Sequence, residues 1–582
     1  MSKHNHAYAI TVSLFVALGG FLLGFDGVVN GGAVPFYRIT LGISDQPFLI
    51  GLSSSAIILG AMIGNFCVAF LIDRIGRKPT LMITSFLFMI GAAGTALVPN
   101  IGLFILAKMV AGLGVGIAIL VAPMYIAEIA PPKHRGWLVT FNQLNIVVGL
   151  SIAMLTNYYI LNTISDPDLN WRWMLGIGFF PAALYFILLL FVPESPRWLI
   201  QKGRRTEGLK ILKKSCGQTE GEKEYQSIEE SLKEGLAKGE GSIKEVFSKS
   251  MRYILFVGIG LAIFQQLSGI NAVLYYAPMI FETTGSGMDA AFLMAIVVGI
   301  VFTMATIVSM FLIDRLGRRP LLIMGCAIMA ASFFLVSYAF KESSYRLNDA
   351  QIASVYNQAI QAEISNQAKI SFPDNYITDS IQTIGQGAHL YKAGELIGII
   401  EMSRPAIQEA IRHAEALRNV MQDMKGKTYQ KETAFFGLIK SQLTSKFQGE
   451  ESVWVGKTFS QLYKSAILKA AIAIDGRMVL LGILGFITGF SISLGPVMWA
   501  MFSEIFPGRI RAKAISVVGA TNGLTSFLVA TIFPVQLEWI GSANTYFLFG
   551  LFMFLCLGFV FKYVPETKGK TLEELELELV NA

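Results

Sequence analysis

Apolar residues in this chain gather in unbroken stretches of about twenty, separated by short polar connections. A bilayer core about 30 Å thick needs roughly 20 such residues at about 1.5 Å each. Candidate spans cover about 8–29, 48–71, 80–98, 102–125, 137–160 and 172–193. After a polar stretch, six more follow at about 252–280, 288–312, 320–340, 478–502, 514–535 and 543–564. Lipid offers backbone N–H and C=O groups no partners, so all twelve spans are expected to be helices. The first run, from about Tyr8 to Val29, is longer than the core of a signal peptide and has no convincing cleavage site, so it reads as a retained helix.

Lysine and arginine sort the connections into two kinds. Arg74, Arg77 and Lys78 follow the second span, Lys133 and Arg135 the fourth, and a basic stretch from Arg197 through Lys214 the sixth. Arg315, Arg318 and Arg319 follow the eighth, and Arg509, Arg511 and Lys513 the tenth. The alternate connections are nearly bare, as at Pro99-Asn100 and from Phe281 to Asp289, with Arg38 and Arg172 as minor exceptions. Basic loops are retained in the cytoplasm, which places both termini there.

Composition fits this picture and removes alternatives. The 582 residues are 53% hydrophobic and 15% charged, with a mean hydropathy of +0.56, whereas soluble domains are about a quarter charged. The net charge of +7 does not point to nucleic acid, because the bases form short clusters between apolar runs. Cys67, Cys216, Cys326 and Cys556 show neither metal-ligand nor disulfide spacing, and no metal or cofactor is expected. Gly112-Leu113-Gly114-Val115-Gly116 lies inside the fourth span with no strand before it, so it reads as a packing seam rather than a nucleotide loop. No Walker motif is present, and nothing supports an enzyme.

The chain repeats internally. Asp73-Arg74-Ile75-Gly76-Arg77-Lys78-Pro79 returns 241 residues later as Asp314-Arg315-Leu316-Gly317-Arg318-Arg319-Pro320. Glu128 precedes Arg135 by seven residues and Glu504 precedes Arg511 by seven, now at an offset of 376, and Pro193-Glu194-Ser195 returns as Pro565-Glu566-Thr567 at an offset of 372. Two six-helix halves therefore repeat in parallel. The jump in offset locates an insertion of about 135 residues, assigned to 341–475, on the outer side after the ninth span. It has no cysteine and no glycosylation sequon, its segment Arg404–Met424 reads as an amphipathic helix, and it is taken as an appended decoration rather than a partner-binding domain. The organisation expected is a bundle over 1–197, a helical linker over 198–250, and a second bundle over 251–340 and 476–582.

Glu128 and Glu504 lie beside helix ends in an otherwise apolar chain, where an unpaired charge is costly. Glu128, Glu504, Glu194 and Glu566 are expected to pair with Arg74, Arg77, Arg135, Arg315, Arg318 and Arg511, with Asp73, Asp314 and Arg197 in the same clusters. Such networks would latch the halves in an outward-open state and break as the inner gate opens.

Five signatures, in order, resemble those of the sugar porter family of the major facilitator superfamily. They are Asp73-Arg74-x-Gly76-Arg77-Lys78, Pro193-Glu194-Ser195-Pro196-Arg197, Gln265-Gln266-Leu267-Ser268-Gly269-Ile270-Asn271, Gly495-Pro496-x-x-Trp499 and Pro565-Glu566-Thr567-Lys568-Gly569. The resemblance spans nearly the whole chain outside the insertion. It implies an all-α, two-bundle fold, alternating access, a sugar or cyclitol bound in the middle of the membrane, and short cytoplasmic helices joining the halves. Uncharged amides suit hydroxyls that both donate and accept, and aromatic faces suit the C–H surface of a sugar. Gln143 in the fifth span, Gln265, Gln266, Asn271 and Tyr275 in the seventh, Trp499 in the tenth and Asn522 in the eleventh are the expected substrate ligands. Gln266 and Asn271 are five apart and share a face only if the helix kinks, which Gly269 permits. Gly523 stands where the family commonly has a second tryptophan, and Leu150 where some members have a glutamine, which opens the site to larger or less polar ligands.

Asp26 lies within the first span, where a carboxyl group away from water favours its neutral, proton-bound form. The family's proton-coupled members resemble this pattern, with an acid here and an arginine in the fourth helix; this chain has Lys108 instead. The expected function is proton-coupled import of a monosaccharide or polyol by a multi-pass, monomeric protein of a plasma or bacterial inner membrane. An uncoupled sugar carrier, a cyclitol symporter and a non-transporting sensor are the alternatives.

Overall fold

The computed structural model describes residues 3–132, 134–164, 166–238, 243–368, 380–384, 387–392, 395–401, 404–430, 432–447, 463–507 and 510–568. Among them are 12 helices long and apolar enough to cross a membrane. The first half comprises helix 1 (Lys3–Thr40), helix 2 (Pro47–Ile75), helix 3 (Arg77–Leu97), helix 4 (Ile101–Ile129), helix 5 (Arg135–Thr163) and helix 6, in the two pieces Pro167–Gly176 and Phe179–Leu190. The second comprises helix 7 (Arg252–Leu267, Ile270–Tyr275, Ala277–Glu282), helix 8 (Met288–Leu316), helix 9 (Arg318–Lys341), helix 10 (Gly476–Ile492, Pro496–Ile505), helix 11 (Arg511–Trp539) and helix 12 (Gly541–Tyr563). Helices Pro196–Gln201, Arg205–Cys216 and Gln218–Lys238 lie between the halves in sequence.

The repeat read from the loops is also a repeat of packing. Helix 1 packs on helix 5, helix 2 on helix 4, and helix 3 on helices 4 and 6; in the second half, helix 7 packs on helix 11, helix 8 on helix 10, and helix 9 on helices 10 and 12. The Gly112 string is the seam between helices 2 and 4. A Cβ on Gly112 would come 2.1 Å from the carbonyl oxygen of Ile57, so only glycine allows that approach. Large apolar side chains such as Phe66, Leu97, Phe191, Phe311 and Trp539 are exposed on the outside of the bundles, as a lipid-facing surface requires.

Helix 1 continues eleven residues beyond Val29, where the apolar run was expected to stop, and ends at Thr40. Asn30, Gly31 and Gly32 look like a turn but are packing positions. Asn30 Nδ2 donates to Ser54 Oγ of helix 2 (3.0 Å), and a Cβ on Gly32 would come 2.4 Å from Asn157 Nδ2 of helix 5. The two exceptions to the charge bias are accounted for as well. Arg38 lies 3.9 Å from Glu282 of helix 7, and Arg172 pairs with Asp168 (3.0 Å) and caps the end of helix 3 through Ala96 O (2.8 Å) and Val98 O (3.1 Å).

The segment after helix 9 folds around its own core, which includes Ile352, Val355, Leu417, Phe435, Ile439 and Ile467. Its helices among the described residues are Asp349–Ala368, Arg404–Asp423, Glu432–Ser445 and Lys464–Ala471, the second matching the amphipathic helix read from sequence. Strands Ser380–Ile384, Gly387–Lys392 and Glu395–Glu401 form an antiparallel meander. A second small sheet joins the segment's two ends, with Ser344 opposite Ala473 and Tyr345 opposite Ile472. The arginine-rich loops mark one end of the bundle, hereafter the basic end, and the segment leaves from the opposite end.

Candidate transport pathway

Asp26 and Lys108 face each other in the first half. Lys108 of helix 4 is buried, and its Nζ stands 3.9 Å from Asp26 Oδ1 of helix 1. The other carboxylate oxygen, Oδ2, is buried and has no hydrogen-bond partner. The pair is thus held at the outer limit of ion-pair distance, with one acceptor site left over.

In the second half the amides form one connected cluster. Helix 7 breaks at Gly269, whose φ of +77° is left-handed backbone that glycine adopts readily. The break brings Asn271 back over the preceding turn, where its Nδ2 donates to Gln266 Oε1 (2.9 Å) and to Ser526 Oγ of helix 11 (2.6 Å). Gln266 Nε2 donates to Asn522 Oδ1 (3.1 Å) and Gln265 Oε1 (3.1 Å), and Asn522 Nδ2 donates to Gln265 Oε1 (2.7 Å) and Ala262 O (3.0 Å). Gln265 Nε2 donates to Leu494 O (2.8 Å), a carbonyl exposed to side-chain bonding because helix 10 is interrupted between Ile492 and Pro496. Ser526 was not anticipated; it lies one turn beyond Asn522 on the same face of helix 11, which is the signal that would have found it.

The side chains of the other expected ligands are not among the hydrogen-bonded members of this cluster. Trp499 is 42% exposed, with its ring edge-on to Phe502 at 5.6 Å. Gln143 is exposed on helix 5, one and two turns below Val147 and Ser151. Tyr275 is buried, and its carbonyl lies 2.9 Å from where a Cβ on Gly31 of helix 1 would sit.

Gln143 and Ser151 show how the halves meet. Ser151 Oγ lies 2.9 Å from Thr303 Oγ1 and donates to Gly299 O (2.9 Å), both on helix 8. Ser55 Oγ of helix 2 lies 2.6 Å from Thr531 Oγ1 of helix 11, and the Tyr276 hydroxyl stands 3.4 Å from both Ile50 O and Ala530 O. Closer to the basic end, Thr303 Oγ1 donates to Val147 O (3.2 Å), and a Cβ on Gly523 would come 2.9 Å from Met62 Cγ. Each lies about 18 Å from the basic end of its helix at about 1.5 Å per residue. Gln143 continues the Val147–Ser151 stripe below that level and is exposed. The halves are therefore joined toward the end bearing Arg38 and Glu282 and part toward the basic end.

At the basic end the loop motifs build two copies of one network. Arg77 donates through Nε to Glu128 Oε2 (3.0 Å) and through Nη2 to Glu128 Oε1 (3.0 Å), and Ser195 Oγ also donates to Glu128 Oε2 (2.5 Å). Glu194 Oε1 accepts from the backbone N–H groups of Arg77, Lys78 and Ser195 (2.9, 3.2 and 2.7 Å). In the second half, Arg318 donates through Nε and Nη2 to Glu504 Oε1 (3.2 and 2.8 Å) and Thr567 Oγ1 to Glu504 Oε2 (2.5 Å). Burial holds the Glu194 carboxyl above the ordinary carboxylate range despite the N–H groups of Ser195, Lys78 and Arg77 that favour its charge.

These bonds each lie within one half and brace each bundle at the basic end; the expected latch between the halves is not among them. The cause is local: Gly76 (φ +97°) and Gly317 (φ +93°) turn the chain so tightly that helices 3 and 9 start directly against Glu194 and Glu566 of their own halves. The Asp73 and Arg74 side chains are exposed, and Asp73 takes part through its carbonyl, which accepts from Trp198 Nε1 (3.4 Å). Arg197 and Arg315 are exposed, and Arg511 Nε donates to Phe506 O (3.0 Å) rather than to a carboxylate. The side chains of Arg135 and Asp314 lie outside the described residues. Ser195 and Thr567, the residues after each Pro-Glu, are members that sequence reasoning missed.

Two pseudo-repeated bundles of six membrane helices, parted at one end and enclosing a polar centre, define a transporter of the major-facilitator fold rather than an enzyme. Residues 12–357 and 457–579 match the family model "Sugar (and other) transporter". The chain belongs to that family. It is 29% identical to the arabinose-proton symporter of Bacillus subtilis (strain 168), over 99% of this chain and 96% of the relative. It is 30% identical to probable inositol transporter 2 of Arabidopsis thaliana, over 98% and 91% of the two chains. Among solved structures, the inward-open form of the xylose transporter XylE from E. coli superposes with a TM-score of 0.67 at 26% identity, over 98% of this chain and all of that one. The proton:xylose symporter XylE bound to 6-bromo-6-deoxy-D-glucose gives 0.65 at 27% identity, covering 99% of this chain and 100% of that one.

Proposed function

We propose that the protein imports a monosaccharide by alternating access, driven by proton symport through Asp26, with the basic end and both termini in the cytoplasm. The observation that carries the coupling is the loose Asp26–Lys108 contact with Oδ2 left unpartnered. While Asp26 is charged, Lys108 holds helix 1 against helix 4. Protonation at the carboxylate removes the attraction and frees helix 1, which packs on helix 7 across the halves, to move with substrate bound. Lysine is a point charge, so it releases its partner without the geometric demand of a bidentate arginine.

The sugar is held by Gln265, Gln266, Asn271 and Asn522, whose mutual hydrogen bonds it replaces, with Gln143, Tyr275 and Trp499 completing the site as the halves close at the basic end. A site built from amides discriminates among hydroxyl patterns better than an apolar pocket would. Relatives named for arabinose and D-xylose symport with protons support the coupled reading. The relative named as an inositol transporter supports a cyclitol as the alternative cargo.

The test is uptake of labelled pentoses, hexoses and inositols into proteoliposomes with and without an imposed pH gradient. The wild type should accumulate one of them uphill only with the gradient. Asp26→Asn should abolish accumulation while preserving counterflow exchange of the same substrate. Uphill accumulation by that variant would remove Asp26 from the coupling role.

A further inference from the structure

A groove opens between helices 9 and 12 at the basic end, on the outer surface of the bundle. Arg319, Pro320, Ile323 and Met324 of helix 9, Phe561 of helix 12 and Glu566 line an open hollow of about 510 Å³. Met324 and Phe561 are exposed on the outer surface of the bundle. Arg319 is the second residue of helix 9, and Ile323 and Met324 lie about 6–8 Å further along it. The guanidinium therefore stands at the level of lipid headgroups, with the apolar lining at the level of the upper acyl chain.

The arginine is fixed and incompletely satisfied. Arg319 Nη2 donates to Phe561 O (2.6 Å), which holds the guanidinium 5.9 Å from the Phe561 ring centre. Its Nε is buried and has no hydrogen-bond partner. Glu566 does not supply one, because its oxygens accept from the backbone N–H groups of Arg318, Arg319, Thr567 and Lys568. Arg315, Lys562 and Lys568 add positive charge beside the groove; all three are exposed, and Lys568 Nζ donates to Arg315 O (2.6 Å).

We propose that this groove binds one anionic phospholipid, its phosphate accepting from Arg319 and its acyl chain lying over Pro320, Ile323, Met324 and Phe561. A phosphate with a net negative headgroup offsets the surrounding cations, whereas a choline headgroup sets its own cation against them. A free phosphate uses none of the apolar lining.

Full-length protein in detergent, given phosphatidylglycerol or phosphatidylcholine with the same acyl chains, tests this by native mass spectrometry of retained lipid. One phosphatidylglycerol should stay bound at least about fivefold more strongly than phosphatidylcholine, the worth of roughly one basic side chain beside an anionic lipid. Arg319→Gln should lose that preference and Arg319→Lys keep part of it, while excess glycerol phosphate leaves the adduct in place. Equal retention of the two lipids by the wild type overturns the proposal whether or not either variant folds. So does a preference that survives in folded Arg319→Gln. Displacement by glycerol phosphate would mark a small-anion site and overturn the lipid assignment.

Discussion

At Glu194 the three backbone N–H donors, from Arg77, Lys78 and Ser195, converge on one oxygen, Oε1. At Glu566 they divide, with Arg318, Thr567 and Lys568 on Oε1 and Arg319 on Oε2. A glutamine carbonyl can replace Oε1 at the first site without loss, but at the second its NH2 would face an N–H and leave a donor unmatched. Glu566→Gln should therefore cost about 1–3 kcal/mol. Glu194 also carries a pH dependence. Its folded carboxyl binds a proton more tightly than the unfolded one, so the stability contributed by the neutral form is full below the ordinary carboxylate range and is lost as pH rises through the raised folded value. Glu194→Gln should match the parent at acid pH and be slightly more stable at neutral pH. Thermal unfolding of both variants across that range checks this, and equal destabilisation of the two at neutral pH would contradict it. The carboxylates themselves were legible in the sequence, because charge beside membrane helices must be paired. Their partners were less so, since several are backbone N–H groups that no residue identity reveals.

Helix 7 has the amide cluster only because it is broken. Gly269→Ala would force an alanine into left-handed backbone, at about 1–2 kcal/mol, and would bring its Cβ to 3.0 Å from the Phe549 ring. The lower turn should straighten and carry Asn271 away from Gln266. The expected outcome is a folded protein with weakened sugar binding, measured by substrate-induced thermal shift; unchanged binding would show that the kink does not assemble the site. The kink was readable because the five-residue spacing of Gln266 and Asn271 puts them off a common face of a straight helix. The continuation of helix 1 past Val29 was not, because Asn30-Gly31-Gly32 serves neighbouring helices and looks like a turn to a hydropathy reading. The meander of 380–401 was also missed: its strands carry small and polar residues such as Gly387, Gly398 and Gln382 that blur any alternation.

The whole molecule is held in one of its states by contacts along helices 2 and 11 and helices 5 and 8, pairs that exchange places under the internal repeat. Gly51 is the tightest described point on the first of these, where a Cβ would come 1.9 Å from Thr531 O. Gly51→Leu should prevent closure there and shift the population toward the opposite state. A thiol reporter placed by Gln143→Cys should then lose labelling from the basic end, and undiminished labelling would argue against Gly51 as a closure point. Motif offsets in the sequence point to the repeat and to an added segment after helix 9, but they say nothing of the fold that segment takes. Its two ends meet as neighbouring antiparallel strands, so the chain leaves helix 9 and returns toward helix 10 through a gap of about 5 Å. A module mounted on so narrow a neck is an exchangeable handle. It can be excised with a short turn in its place, or replaced by a rigid reporter large enough to orient the particle in electron images, without altering the register of the helices beneath.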